Sequence, residues 1–86
     1  MSPPPVTIYT TGWCPYCQRA KHLLTQKNVP FKEIEVDEGN LREEMAARSG
    51  RRTVPQIFIG DRHVGGCDDL YALEGSGELD RLIQGD

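Results

Sequence analysis

Val6-Thr7-Ile8-Tyr9-Thr10, then Thr11-Gly12-Trp13, then Cys14-Pro15-Tyr16-Cys17: this run decides the fold. The first segment alternates and is rich in β-branched residues, which predicts a strand. The last segment opens a helical pattern, with Tyr16, Ala20, Leu23 and Leu24 at i, i+4, i+7 and i+8. Two cysteines therefore stand at a strand-to-helix junction. The first N–H groups of a helix lack internal partners and the dipole there favours negative charge, so a thiolate at Cys14 is stabilised. Pro15 suits the first turn, where its missing N–H is not needed. Cys17 lies three residues on, on the same helix face, within reach of the Cys14 sulfur. A nucleophilic thiolate with a resolving thiol one turn away is a site for dithiol–disulfide exchange.

Outward from this run, the first helix is predicted over Pro15 to Lys27, stopping near Asn28 and Pro30. Phe31–Val36 has the content of a second strand, parallel to the first with a right-handed crossover. Asp37-Glu38-Gly39 reads as a loop. Asn40 is placed to cap a second helix, with Glu43 completing a capping box, Glu44 paired with Arg48, and Gly50 as the C′ residue. Pro55–Ile59 is the most apolar run and predicts a buried strand. A turn at Gly60-Asp61 or Asp61-Arg62 leads to the short partner Arg62-His63-Val64. Asp68 is the expected cap of a helix carrying Leu70, Tyr71 and Leu73. Gly75-Ser76-Gly77 breaks it before a final helix with Leu79, Leu82 and Ile83. The expectation is an α/β fold: a four-stranded mixed β-sheet flanked by helices, in the order βαβ-α-ββ-α. It forms a single domain over 1–86, with 1–5 a frayed, extended lead-in.

Composition narrows the function. The chain has 86 residues, 27% of them charged and 37% apolar, with a net charge of −3. One small core burying about 60% of the unfolded surface is feasible at this size. The charge gives no reason to expect nucleic acid or an anionic membrane as partner. No apolar run approaches the ~18 residues of a membrane span. Met1-Ser2-Pro3-Pro4-Pro5 lacks the basic and apolar regions of a signal peptide. Three cysteines are too few for a disulfide scaffold, so a reducing, cytoplasmic setting is expected, in which a CxxC is catalytic or metal-binding. A zinc site needs four ligands, and beyond the pair only Cys67, His22 and His63 are candidates, with no second close-spaced pair among them. That arithmetic favours redox chemistry.

Thr10-Thr11-Gly12-Trp13-Cys14-Pro15-Tyr16-Cys17, Thr53-Val54-Pro55-Gln56-Ile57-Phe58-Ile59 and Gly65-Gly66-Cys67-Asp68-Asp69-Leu70 resemble, in order and spacing, the three signature blocks of the dithiol glutaredoxins, most of all the short bacterial type. The resemblance runs from Val6 to Ile83. It implies a thioredoxin-like fold and glutathione-dependent reduction of protein disulfides and glutathione mixed disulfides, by a monomer. Cys14 attacks and Cys17 resolves. Glutathione is a cosubstrate, and no metal or other cofactor is needed. The same resemblance assigns glutathione binding to Thr11, Tyr16, Thr53, Val54, Pro55, Gly66, Cys67 and Asp68. In that scheme Pro55 follows a cis bond and Val54 pairs with the cysteinyl backbone of glutathione. Backbone donors at Cys67 and Asp68 hold the γ-glutamyl carboxylate, as a helix N-terminus can, and Asp68 faces the amine.

Other residues carry two readings. Tyr16 sits beside glutathione or packs on the sheet. Trp13 covers the rim of the site or packs as an apolar ring. Arg51-Arg52 is a solvated loop or attracts the glycine carboxylate. Cys67 reads as a small packed residue rather than a third redox centre, and His22 and His63 as surface residues. Thr11 stands where many relatives carry a lysine, so one cation expected beside the glycine carboxylate is absent. Two rival functions stay open: a redoxin of the same fold reduced by thioredoxin reductase, and an iron–sulfur carrier in which Cys14 and glutathione of two subunits hold a cluster.

Overall fold

The computed structural model describes residues 3–37 and 39–85. In chain order the elements are β1 (Val6–Thr10), α1 (Pro15–Gln26), β2 (Lys32–Glu35), α2 (Leu41–Ser49), β3 (Gln56–Ile59), β4 (Arg62–Gly65), α3 (Cys67–Ser76) and α4 (Glu78–Gln84). The strands form one four-stranded sheet in the order β2-β1-β3-β4. β1 and β2 are parallel, with Ile8 beside Glu33. β3 runs antiparallel to β1, with Ile57 beside Ile8, and β4 antiparallel to β3.

Alternation along β1 and β3 splits the core between the two faces. Val6, Ile8, Ile57 and Ile59 pack with Ala20, Leu23 and Leu24 of α1, Leu70 of α3 and Leu79 of α4. Tyr9 and Phe58 point the other way, against Val36 and Met45. Their rings meet edge-on, with centroids 5.8 Å apart. Each fully buried aliphatic side chain contributes roughly 1.5–3 kcal/mol of transfer free energy. α1 and α3, which border the cysteines, thus share the larger cluster. α1 ends where expected: Asn28 takes a left-handed conformation (φ 58°), as asparagine tolerates after a helix.

Several local expectations give way to competing contacts. Asn40 occupies the N-cap of α2, but its side chain makes no capping bond. Glu43 is drawn off to the Arg52 guanidinium, which donates to both of its carboxylate oxygens. Arg48 does not pair with Glu44. It donates to the Tyr9 hydroxyl (2.8 Å) and lies 4.1 Å from the Phe58 ring centroid, a partly buried placement that outweighs an exposed pair along the helix. α3 begins at Cys67 with Gly66 as its N-cap, two residues earlier than a cap at Asp68 requires. Its break comes at Gly77 (φ 83°), with Gly75 and Ser76 still helical. The lead-in is tethered rather than frayed at its end, since the Pro5 carbonyl accepts from Gly60 N–H at 2.7 Å. Met1 and Ser2 of that lead-in, and Glu38 of the predicted loop, lie outside the described residues. Among the described residues no helix is long and apolar enough to cross a membrane.

Candidate active site

Cys14 is the N-cap of α1, with extended backbone (φ −156°, ψ 110°). Its sulfur takes the place that a serine oxygen takes at other helix starts: Sγ accepts from the Cys17 N–H at 3.3 Å. The Cys14 carbonyl accepts from Gln18 N–H at 3.0 Å, which begins the helical ladder, and Pro15 fills the first helical position. Cys14 is half-buried and Cys17 fully buried; both are free thiols, as is Cys67. Burial, then the bond to Cys14 and the negative charge of its sulfur, push the Cys17 thiol up to about 12. The arrangement sets a half-buried sulfur in front of a buried, protonated thiol.

Beside this pair lies a cleft of about 220 Å³ between the Thr53–Gln56 segment and the start of α3. Tyr16, Arg51, Thr53, Val54, Pro55, Gln56, Gly66, Cys67, Asp68 and Asp69 line it. The Val54–Pro55 bond is cis. Among the described residues, neither the Val54 N–H nor its C=O has a backbone partner. At the far wall, Gly65 takes a φ of 119°, and a Cβ there would collide with the Asp69 carboxylate. That carboxylate accepts from Gly66 N–H at 2.9 Å and from Arg51 Nη1 at 3.3 Å. The Gly66 N–H holds the Asp69 carboxyl below its usual range; burial opposes it, and the Arg51 guanidinium adds a lesser pull downward. Burial pushes the Cys67 thiol up, against the opposing pull of the Arg19 guanidinium.

A family model described as Glutaredoxin matches residues 6–64. The chain belongs to the glutaredoxin family. This glutaredoxin is 62% identical over 81 residues to a glutaredoxin of Pseudomonas aeruginosa, covering 93% of this chain and 96% of the relative. It resembles the solution structure of a glutaredoxin from Brucella melitensis, with 58% identity and a TM-score of 0.86 over 98% of this chain and 92% of the other. It also resembles the crystal structure of a buckwheat glutaredoxin–glutathione complex, with 31% identity and a TM-score of 0.85 over 93% of this chain and 76% of the other. The fold is thioredoxin-like, and the family's chemistry is that of thiol–disulfide oxidoreductases.

In this glutaredoxin, seven of the residues expected at the glutathione site (Tyr16, Thr53, Val54, Pro55, Gly66, Cys67 and Asp68) share the walls of one cleft. Thr11 is not among the residues that line it; its hydroxyl donates to the Trp13 carbonyl at 3.5 Å within its own loop. Trp13 does not pack: it is 85% exposed. The two arginines separate, with Arg51 on the cleft wall and Arg52 bound to Glu43. Cys67 is buried as expected of a packed residue, yet it also lines the cleft. Two cleft residues, Gln56 and Asp69, went unassigned in the sequence. For Gln56 the available signal was a polar residue inside the most apolar run. For Asp69 the register of α3 had to be known first. His63 is half-buried rather than on the surface, held by Gln56, and burial holds its imidazole below the usual range.

Proposed function

We propose that this glutaredoxin is a cytoplasmic, monomeric, glutathione-dependent reductase of protein disulfides and glutathione mixed disulfides. The observation that carries the reading is the continuity of the site: a half-buried Cys14, a buried protonated Cys17, and a cleft of mixed polar and apolar lining beside them with the Val54 backbone open along its edge. The buckwheat relative's complex with glutathione supports it. A γ-glutamyl carboxylate suits the free N–H groups at the start of α3, and a glycine carboxylate suits Arg51.

In deglutathionylation, the Cys14 thiolate attacks the glutathione sulfur of the mixed disulfide. A Cys14–glutathione disulfide forms, and the substrate leaves as a thiolate that takes a proton from solvent. A second glutathione thiolate then attacks the bound glutathione sulfur, releasing oxidised glutathione and the Cys14 thiolate. With a protein disulfide, Cys14 joins one substrate sulfur and frees the other. Cys17 then attacks the Cys14 sulfur, its proton going to the departing substrate thiolate. The resulting Cys14–Cys17 disulfide is reduced by two glutathiones. Glutathione serves as cosubstrate throughout, with no metal or organic cofactor.

The test is a coupled assay. Turnover of a glutathionylated peptide with glutathione, glutathione reductase and NADPH is expected. Turnover only with thioredoxin reductase would replace this reading with that of a redoxin of the same fold. Visible absorbance after anaerobic purification would support an iron–sulfur role instead.

A further inference from the structure

β3 is buried throughout, yet its first residue is a glutamine that is 1% exposed. A primary amide is costly to bury unless each of its polar atoms is matched. Gln56 is matched on both sides. Its Nε2 reaches back across Val54 and Pro55 to donate to the Thr53 carbonyl (3.0 Å) and hydroxyl (3.2 Å). The Thr53 carbonyl can only accept, so the amide orientation is set and Oε1 must face the other way. There it meets His63 Nε2 at 2.7 Å, which must therefore carry the proton and donate. His63 is itself immobilised, with its ring tilted against Phe58 at 5.0 Å between centroids.

Resting on the glutathione-binding reading above, we infer that Gln56 and His63 are positioning residues for substrate: together they fix the Thr53–Val54 edge of the cleft from behind. The Thr53–Pro55 segment is not part of a strand or helix. Its Val54 backbone has no backbone partner among the described residues. The Gln56 amide anchors Thr53 from within the fold, and His63 on β4 locks that amide. An edge held in one conformation before substrate arrives spares the ordering cost that a loose loop would impose on binding. His63 does not line the cleft, so its effect on substrate must pass through Gln56.

The experiment measures KM and kcat for a glutathionylated peptide in wild type, His63→Leu, His63→Gln and Gln56→Met, alongside thermal melts. His63→Leu removes the donor and should raise KM roughly five- to tenfold, with kcat changed less than about twofold. His63→Gln keeps a donor within reach and should return KM to within about twofold of wild type. Gln56→Met keeps the volume and loses the bonds, and the double variant should be no worse than the worse single, since both act on one link. The rate at which His63→Leu reduces an aromatic disulfide carrying no peptide should match wild type. If wild type shows no saturation with the glutathionylated peptide, the glutathione reading itself fails. If wild type saturates and both His63→Leu and Gln56→Met keep its KM, only the positioning role is overturned. Failure of His63→Gln to recover KM also overturns it. Should either His63→Leu or Gln56→Met not fold, the other decides.

Discussion

Replacing Gly65 by alanine strikes the turn that aims α3 at the cleft. Two effects add. The φ of 119° suits glycine and strains any residue with a side chain, at about 1–3 kcal/mol. The new Cβ would also stand 2.8 Å from Cγ and 3.1 Å from Cβ of Asp69, so that side chain must swing away. It then loses its bonds to Gly66 N–H and Arg51. The Asp69 side chain is 49% exposed, so solvent screening limits that loss to about 1 kcal/mol. The total is about 2–4 kcal/mol, a large part of the ~5–15 kcal/mol that holds a small domain. Urea unfolding, with a slope of about 1 kcal/mol per molar, should show a midpoint lower by roughly 2–4 M. The Asp69 share has its own signature. Its carboxyl lies below the usual range in the fold, so its contribution is complete at neutral pH and is lost as pH falls from about 4 through the folded value. In an Asp69→Ala background, Gly65→Ala should therefore cost about 1 kcal/mol less than in wild type. A Gly65→Ala protein within about 0.5 kcal/mol of wild type would refute the strain argument. Equal costs in the two backgrounds would refute the collision with Asp69.

Three further outcomes are expected. Cys14→Ser should abolish both activities, whereas Cys17→Ser should lose reduction of protein disulfides and keep deglutathionylation, read with the two substrates side by side. Because burial pushes the Cys17 thiol up to about 12, the step it performs should quicken as pH rises from neutral to alkaline; single-turnover resolution of a protein mixed disulfide checks this, and a flat profile counts against Cys17 as the attacking group. Arg51→Ala should raise KM for a glutathionylated substrate by at most about fivefold at low ionic strength, because its side chain is 52% exposed, and the difference should shrink in salt.

The sheet and its helices were legible because alternation in Val6–Thr10 and the apolar run at Pro55–Ile59 leave few ways to bury their faces. The placement of the cysteine pair at the start of α1 was legible because the pair follows a strand and opens a helical pattern. What stayed hidden depends on competition between polar groups far apart in sequence. Glu43 could cap α2 or meet Arg52, nine residues away, and the ion pair won. Asp68 and Asp69 are adjacent acids, and only once Gly66 is known to be the N-cap does the second, at N3, emerge as the one that accepts from the Gly66 N–H. His63 reads as a surface residue until the partner of the buried Gln56 is known.

The uneven division of the core bears on how the molecule breathes. α1 sinks Cys17, Ala20, Leu23 and Leu24 into the fold, whereas α2 has a single buried residue, Met45. Local opening is easiest where the fewest apolar groups are exposed by it. Amide hydrogens of α2 are therefore expected to exchange with solvent ahead of those of α1. Cys14 and Cys17 belong to the better-anchored α1, so opening of α2 is expected to leave the thiols undisturbed.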